Sequence, residues 1–288
     1  MSNKIGRRIM KRVNKKAKEL PAATVITKQL KTIKEPVIVA DEWGMRFAHY
    51  FTDSETLDFV VSKDFYKPEL LAMRRLVKEG DLVVDVGANV GTFSVFLSKE
   101  VGAKGRVHSF EPIRDTYWRL QENIALNRCE NISPYCQAIS NKKGTAIMNV
   151  FPEGHDAWNS FGKPKFDEIV PISTEKVAIN TLDKFTKKAN IKKIDFLKID
   201  VEGYERDVLR GAKELLSNNR VKYLSFEISA IPLKGAGRTG AEVFDLLREY
   251  EYLAYEFNPD KNKFVGPIET SETFYQNFYA SRSDLRKL

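Results

Sequence analysis

The sequence predicts an open α/β fold, a mostly parallel sheet with helices on both faces, and three observations carry that prediction. Residues 82–98, LVVDVGANVGTFSVFLS, run from an unbroken apolar stretch through a glycine-rich elbow into a segment of helical period. Residues 194–212, IDFLKIDVEGYERDVLRGA, repeat the plan with acids in the elbow. Strand-like and helix-like segments alternate over much of the chain around them, the pattern of βαβ units.

The first 34 residues hold eleven Lys or Arg and one acid, Glu19. The other residues carry 36 basic and 38 acidic side chains, so the net charge of +8 belongs to this extension. Ile5, Ile9, Val13, Ala17 and Leu20 fall at near-helical spacing until Pro21. That pattern suits a short basic amphipathic helix on an anionic membrane or a polyanion, but its thin apolar face favours a solvated, partly disordered tail. Residues 35–66 alternate apolar and polar character around a turn at Trp43 and Gly44, a small β lead-in. Pro68 then opens a helix whose face is Leu70, Leu71, Met73, Leu76 and Val77, with Gly80 as its expected stop.

In the central stretch, Leu82, Val83, Val84 and Val86 suit a strand buried on both faces. Asp85 is the exception. Gly87 permits close backbone approach, and Val90, Phe93, Phe96 and Leu97 give the following helix its apolar face. A helix N-terminus after a tight turn offers N–H groups to an anionic or carbonyl-bearing ligand. The dinucleotide fingerprint GxGxxG needs its second glycine where the pyrophosphate presses; here the string is GANVG, and Asn89 fills that place. DVGANVG after a strand resembles the first motif of class I S-adenosylmethionine-dependent methyltransferases.

The next strand, in GRVHSFEP, leads to Glu111, twenty residues after Gly91. A carboxylate there can accept both hydroxyls of a ribose. The helix IRDTYWRLQENIALN and a third strand, ISPYCQAIS, follow, with Gln137 and Ala138 expected beside an adenine. GTAIMNVF and EIVPISTEKVAI read as two strands enclosing a long loop with Gly, Pro and aromatics, whose His155, Asp156, Trp158 and Asn159 are candidate substrate contacts. Thr181 is the expected N-cap of the helix TLDKFTKKA. The strand in IDFLKID ends in Lys198, Asp200 and Glu202, Gly203 turns the chain into a helix, and VKYLSFEIS brings up Glu227. Acids at the carboxyl ends of strands lie where an open α/β sheet places its chemistry. A helix and two strands, GAEVFDLLREY, EYLAYEF and TFYQNFYA, close the sheet, and residues 281–288 read as a frayed tail.

Over residues 65–280 the chain resembles the FkbM-type methyltransferases, through VVDVGANVGTFS, FEP, TLDKF and, most specifically, LKIDVEGYERDVLRGA. The resemblance implies a Rossmann-like sheet of seven strands with the last antiparallel, S-adenosyl-L-methionine as methyl donor, and O-methylation of a hydroxyl on a sugar or other small metabolite. It implies that Asp85, Gly87, Asn89 and Gly91 line the methionine end of the donor, Glu111 the ribose, and Asp200 with Glu202 the wall facing the acceptor. Asp200 or Glu202 is the expected proton acceptor, with His155 second. Asp200, Glu202 and Glu227 together permit a divalent metal, but nothing in their spacing requires one and Lys198 or Arg206 competes, so no metal ligand is assigned. The expected domain organisation is therefore a 1–34 extension, a 35–66 lead-in, a 67–280 methyltransferase domain and a 281–288 tail. Two readings stay open beside it, a nucleotide-binding oxidoreductase and a donor-binding scaffold without activity held by its basic tail.

Hydrophobic residues make up 42% of the chain, enough for a full core, yet no run approaches the roughly 18–20 apolar residues that span a bilayer. Cys129 and Cys136 form no CxxC pair, which leaves no sign of a disulfide framework or a zinc site. The expected location is cytoplasmic, with the basic tail allowing peripheral contact with a membrane.

Overall fold

The computed structural model of the chain describes residues 36–49, 66–151, 159–162, 170–271, 273 and 275–288. The basic extension and the candidates His155, Asp156 and Trp158 lie outside the described residues. No helix among the described residues is long and apolar enough to cross a membrane.

The lead-in is an antiparallel hairpin of β1 (Val37–Ala40) and β2 (Arg46–His49). Asp41 shapes its turn, accepting the N–H groups of Trp43 and Met45 at 2.9 and 2.8 Å. Helix α1 (Lys67–Leu76) has Pro68 in its first turn, where no N–H partner is needed. It ends before the expected Gly80, because Val77 turns extended and buries its side chain in the core.

The chain then runs β3 (Leu82–Val86), α2 (Thr92–Val101), β4 (Arg106–Phe110), α3 (Arg114–Leu126) and β5 (Ile132–Tyr135). After β6 (Ala138–Ile139), β7 (Gly144–Val150) and β8 (Ser173–Asn180) come α4 (Leu182–Lys188) and β9 (Ile194–Ile199). The remainder is α5 (Glu205–Arg210), α6 (Lys213–Ser217), β10 (Val221–Ser229), α7 (Ala230–Gly235), α8 (Ala241–Glu249), β11 (Leu253–Asn258), β12 (Lys263–Ile268) and β13 (Tyr275–Ser281).

Eight strands form the main sheet in the order β12-β11-β13-β10-β9-β3-β4-β5. The pairs β3–β4, β4–β5, β3–β9 and β9–β10 are parallel, and β13 runs antiparallel to both its neighbours. The expected Rossmann-like plan with an antiparallel last strand is what the chain adopts. Chain direction across the sheet reverses between β3 and β9, since β4 and β5 build to one side and β9 and β10 to the other. Such a switch point opens a crevice at the strands' carboxyl ends.

Apolar residues cover both faces of the sheet. Val84, Val86, Leu197 and Ile199 join α4, α5, α6 and α8 on one face, while Val83 and Phe196 join α1, α2 and the β1–β2 hairpin on the other. Alternation along the strands therefore puts Asp85 and Lys198 on the α1–α2 side.

Four details differ from the sequence reading. An eighth strand, β12, extends the edge beyond β11; its Gly266-Pro267 pair reads as a break, and an edge is where a sheet accommodates proline. The stretch ISPYCQAIS is two strands, since the chain bends at Cys136 and Gln137 and β6 leaves the main sheet for a second one of order β6-β8-β7. The helix after Gly203 is broken into α5 and α6 at Gly211 and Ala212. Residues 285–287 form a 3-10 turn that buries Leu285, so this part of the tail is docked and not frayed.

Candidate active site

The switch point sets the end of β3 beside the end of β9. Val86 pairs with Ile199, and the Asp200 N–H donates to Val86 O at 3.0 Å. Gly87 adopts φ +81°, and a Cβ built there would lie 1.7 Å from Asp200 O. Only glycine lets the two strand ends come this close.

The elbow after β3 largely satisfies its own N–H groups. Gly87 and Ala88 both donate to Phe110 O at 3.0 Å, and Asn89 donates to Glu111 Oε2 at 3.0 Å. The expected anion cradle is thus narrower than the sequence suggests. What remains for a ligand at this helix start is the first-turn N–H groups of α2, from Thr92 to Ser94, which have no i−4 partner within the helix. Asn89 sits at φ +49°, a conformation Asn tolerates better than most side chains, and its buried Oδ1 has no hydrogen-bond partner.

Glu111 is buried at the end of β4. Its Oε1 accepts the Ile113 N–H and its Oε2 the Asn89 N–H, both at 3.0 Å, so the carboxylate fixes the elbow to the start of α3. Ala138 is buried with Ile113, Met148 and Val177, an apolar wall beside Glu111, and Gln137 is half-buried at its rim. Asp85 is fully buried. It accepts a hydrogen bond from Ser94 Oγ at 2.6 Å and lies 3.8 Å from Lys198 Nζ, so it supports the site from below instead of lining open space.

Lys198, 2% exposed, donates to Asp200 Oδ2 at 2.9 Å and lies 4.5 Å over the Phe93 ring. Burial alone would push its ammonium down, but the Asp200 and Asp85 carboxylates outweigh it and hold Lys198 above the usual lysine range. The turn after Asp200 carries two consecutive residues at positive φ, Glu202 at +52° and Gly203 at +92°. It is pinned from two sides. Glu205 Oε1 accepts the N–H groups of Val201 and Gly203 at 3.3 and 3.1 Å, and Ser160 Oγ donates to Glu202 O at 2.9 Å.

The turn brings Asp200 and Glu202 against Glu227 of the neighbouring strand; one carboxylate oxygen from each lies within 4.8 Å of the others. Burial, then repulsion from Asp200, Glu202 and Glu205, pushes Glu227 well above the ordinary carboxylate range. Burial likewise raises Glu205 to about 7.

Elbow, Glu111 and acidic edge, read separately from the sequence, therefore meet at one crevice. Asn159 is engaged through its Oδ1, which accepts the Phe151 N–H at 2.9 Å, while its buried Nδ2 has no hydrogen-bond partner. Sequence reasoning passed over Glu69 in the first turn of α1. It accepts from Asn277 Nδ2 at 3.3 Å, its buried Oε2 has no partner, and it feels the charges of Asp200 and Lys198. Its signal was indistinguishable from an acid placed to offset a helix dipole. Ser160, which locks the Glu202 turn, has no local signal at all.

Proteins similar to the chain include several methyltransferases. The chain is 29% identical over 157 residues to the hexuronic acid methyltransferase AglP of Haloferax volcanii, covering 53% of this chain and 58% of that protein. It is 26% identical over 200 residues to the 2-O-methyltransferase NoeI of Sinorhizobium fredii, covering 62% and 76%. It is 22% identical over 147 residues to Methyltransferase 1 of Beauveria bassiana, covering 46% and 59%. The chain spans about three fifths of the length of several of these curated relatives. The methyltransferase FkbM domain matches residues 85–254, from the buried aspartate of the elbow to β11, more than half of the sequence; the chain belongs to the FkbM methyltransferase domain family.

Proposed function

We propose that the chain is an S-adenosylmethionine-dependent methyltransferase acting on a hydroxyl of a sugar or another small metabolite. The observation that carries the reading is the meeting, at one switch point, of the glycine elbow with Glu111 and the acidic end of β9. Family membership supports the reaction class, and the relatives named for hexuronic acid and 2-O-methylation support an oxygen acceptor on a sugar.

The residues present fit the donor. Glu111 sets a carboxylate at the end of β4 where a ribose would lie, Ala138 and Ile113 offer an apolar wall to an adenine with Gln137 at its rim, and the unpartnered Asn89 Oδ1 can accept from the methionine end beside Gly87 and Gly91. A side chain in place of the second glycine of the dinucleotide fingerprint disfavours the oxidoreductase reading. When bound, S-adenosylmethionine supplies a methyl group on a positively charged sulfur, open to displacement by oxygen.

The chain's own work is alignment, exclusion of water and removal of the hydroxyl proton as the C–O bond forms and the C–S bond breaks. Asp200, held by Lys198, or Glu202, held by its pinned turn, accepts that proton, and His155 is the second candidate. Asp200→Asn and Glu202→Gln should leave donor binding by calorimetry unchanged while at least one loses turnover. Full activity in both would refute the assignment.

The domain proper is residues 67–280, preceded by the 35–66 lead-in and the 1–34 extension. The extension places a cytoplasmic enzyme at an anionic membrane surface or polyanion. Deleting residues 1–34 should abolish co-sedimentation with anionic vesicles and leave turnover of a soluble acceptor intact.

A further inference from the structure

Among the described residues, the cation set against the acidic edge is Lys198. Lys198 hydrogen-bonds Asp200 and lies near Asp85, both on its own side of the crevice. Glu227, 5% exposed, is aimed into the cluster, and no hydrogen-bond donor among the described residues is seen on its carboxylate. Buried Glu205 adds a further acid whose Oε2 is unpartnered. A carboxylate so placed is stabilised by a proton or by a cation, and the oxygens of Asp200, Glu202 and Glu227 already converge.

We propose that Asp200, Glu202 and Glu227 form a binding site for one hard divalent cation, Mg2+ or Mn2+. Oxygens bound octahedrally at about 2.1 Å stand about 3 Å apart when adjacent and about 4.2 Å when opposite. The observed separations, within 4.8 Å, need only side-chain adjustments of less than about an ångström to reach that geometry. Three carboxylate oxygens and no nitrogen or sulfur select Mg2+ or Mn2+ over zinc or copper. Three single-oxygen ligands leave about three coordination positions for water or oxygens of the acceptor, so the cation both anchors the acceptor and makes its hydroxyl more acidic. This deepens the acceptor side of the proposed function and rests on it only for that role; binding of the metal is tested without donor or acceptor.

The probe is Mn2+ alone, titrated into the full chain after chelator treatment, with free Mn2+ followed by electron paramagnetic resonance and the melting temperature recorded in parallel. One Mn2+ should bind, raise the melting temperature, and be displaced by excess Mg2+. Glu227→Gln and Glu202→Gln should each weaken binding at least about tenfold, the loss of one charged ligand, and an exposed control, Glu79→Gln, should not. Glu227→Gln keeps the side chain's shape and removes a repelled buried charge, so without metal it should melt no lower than the wild type, which separates lost binding from lost folding. No binding at millimolar Mn2+, no rise in melting temperature, or binding unaffected by both substitutions overturns the proposal whether or not the chain transfers methyl groups.

Discussion

Replacing Gly87 by alanine tests whether the meeting of β3 and β9 positions the crevice. Two costs should add. An L side chain at φ +81° costs about 1–2 kcal/mol in backbone strain. The new Cβ would stand 1.7 Å from Asp200 O, where real Cβ atoms essentially never come closer than 3.0 Å, so the strand ends must part by more than about an ångström. Overpacking of that kind costs about 1–3 kcal/mol, and the Asp200 N–H bond to Val86 O is strained with it. The expected loss is about 2–5 kcal/mol by urea unfolding. Gly80→Ala isolates the first cost, because Gly80 has φ +87° and open space where the Cβ would go; it should lose only about 1–2 kcal/mol. Turnover should fall about a hundredfold in Gly87→Ala, since it shifts the acid end of β9 against the elbow by about an ångström. Equal stability losses at the two glycines would refute the close approach and the placement of the site built on it.

Further expectations follow from the same edge. Glu205 has a raised folded value, about 7, so the native state binds more protons than the unfolded chain between pH 4.5 and 7, and stability falls as pH rises through that window. In metal-free buffer Glu205→Gln should be more stable than wild type at pH 8 by about 3 kcal/mol and equal at pH 4, and a loss at pH 8 would show the carboxylate to be compensated. Glu111→Gln should weaken donor binding by about ten- to a hundredfold in calorimetry, the worth of charge-assisted hydrogen bonds, with the circular dichroism unchanged; an unaltered affinity removes Glu111 from the ribose.

What the sequence disclosed was local. Gly87, Asn89 and Glu111 belong to short motifs whose strand, turn and helix are contiguous, and Asp200 and Glu202 sit at the end of an unmistakable buried strand. Their meeting was legible because parallel topology brings such ends to one edge. Contacts made across long separations were not. Glu69 and Asn277 meet across 208 residues, and Ser160 reaches Glu202 across 42, with nothing in either neighbourhood to mark them. The division of residues 132–139 between two sheets was hidden for a related reason. Both halves read as strand, and only their separate partners, β4 and β8, tell them apart.

The position of β13 bears on how the protein comes into being. The strand latest in the sequence fills a slot between β10 and β11, both made earlier. Until residues 275–281 leave the ribosome, those two strands present unpaired edges to the cell, the condition under which nascent chains join one another or recruit chaperones. A chain interrupted shortly before Tyr275 would still contain the elbow, Glu111 and Asp200, Glu202 and Glu227, yet β11 would be cut off from β10. Stop codons just before the β13 segment should therefore yield aggregates and not weak enzymes.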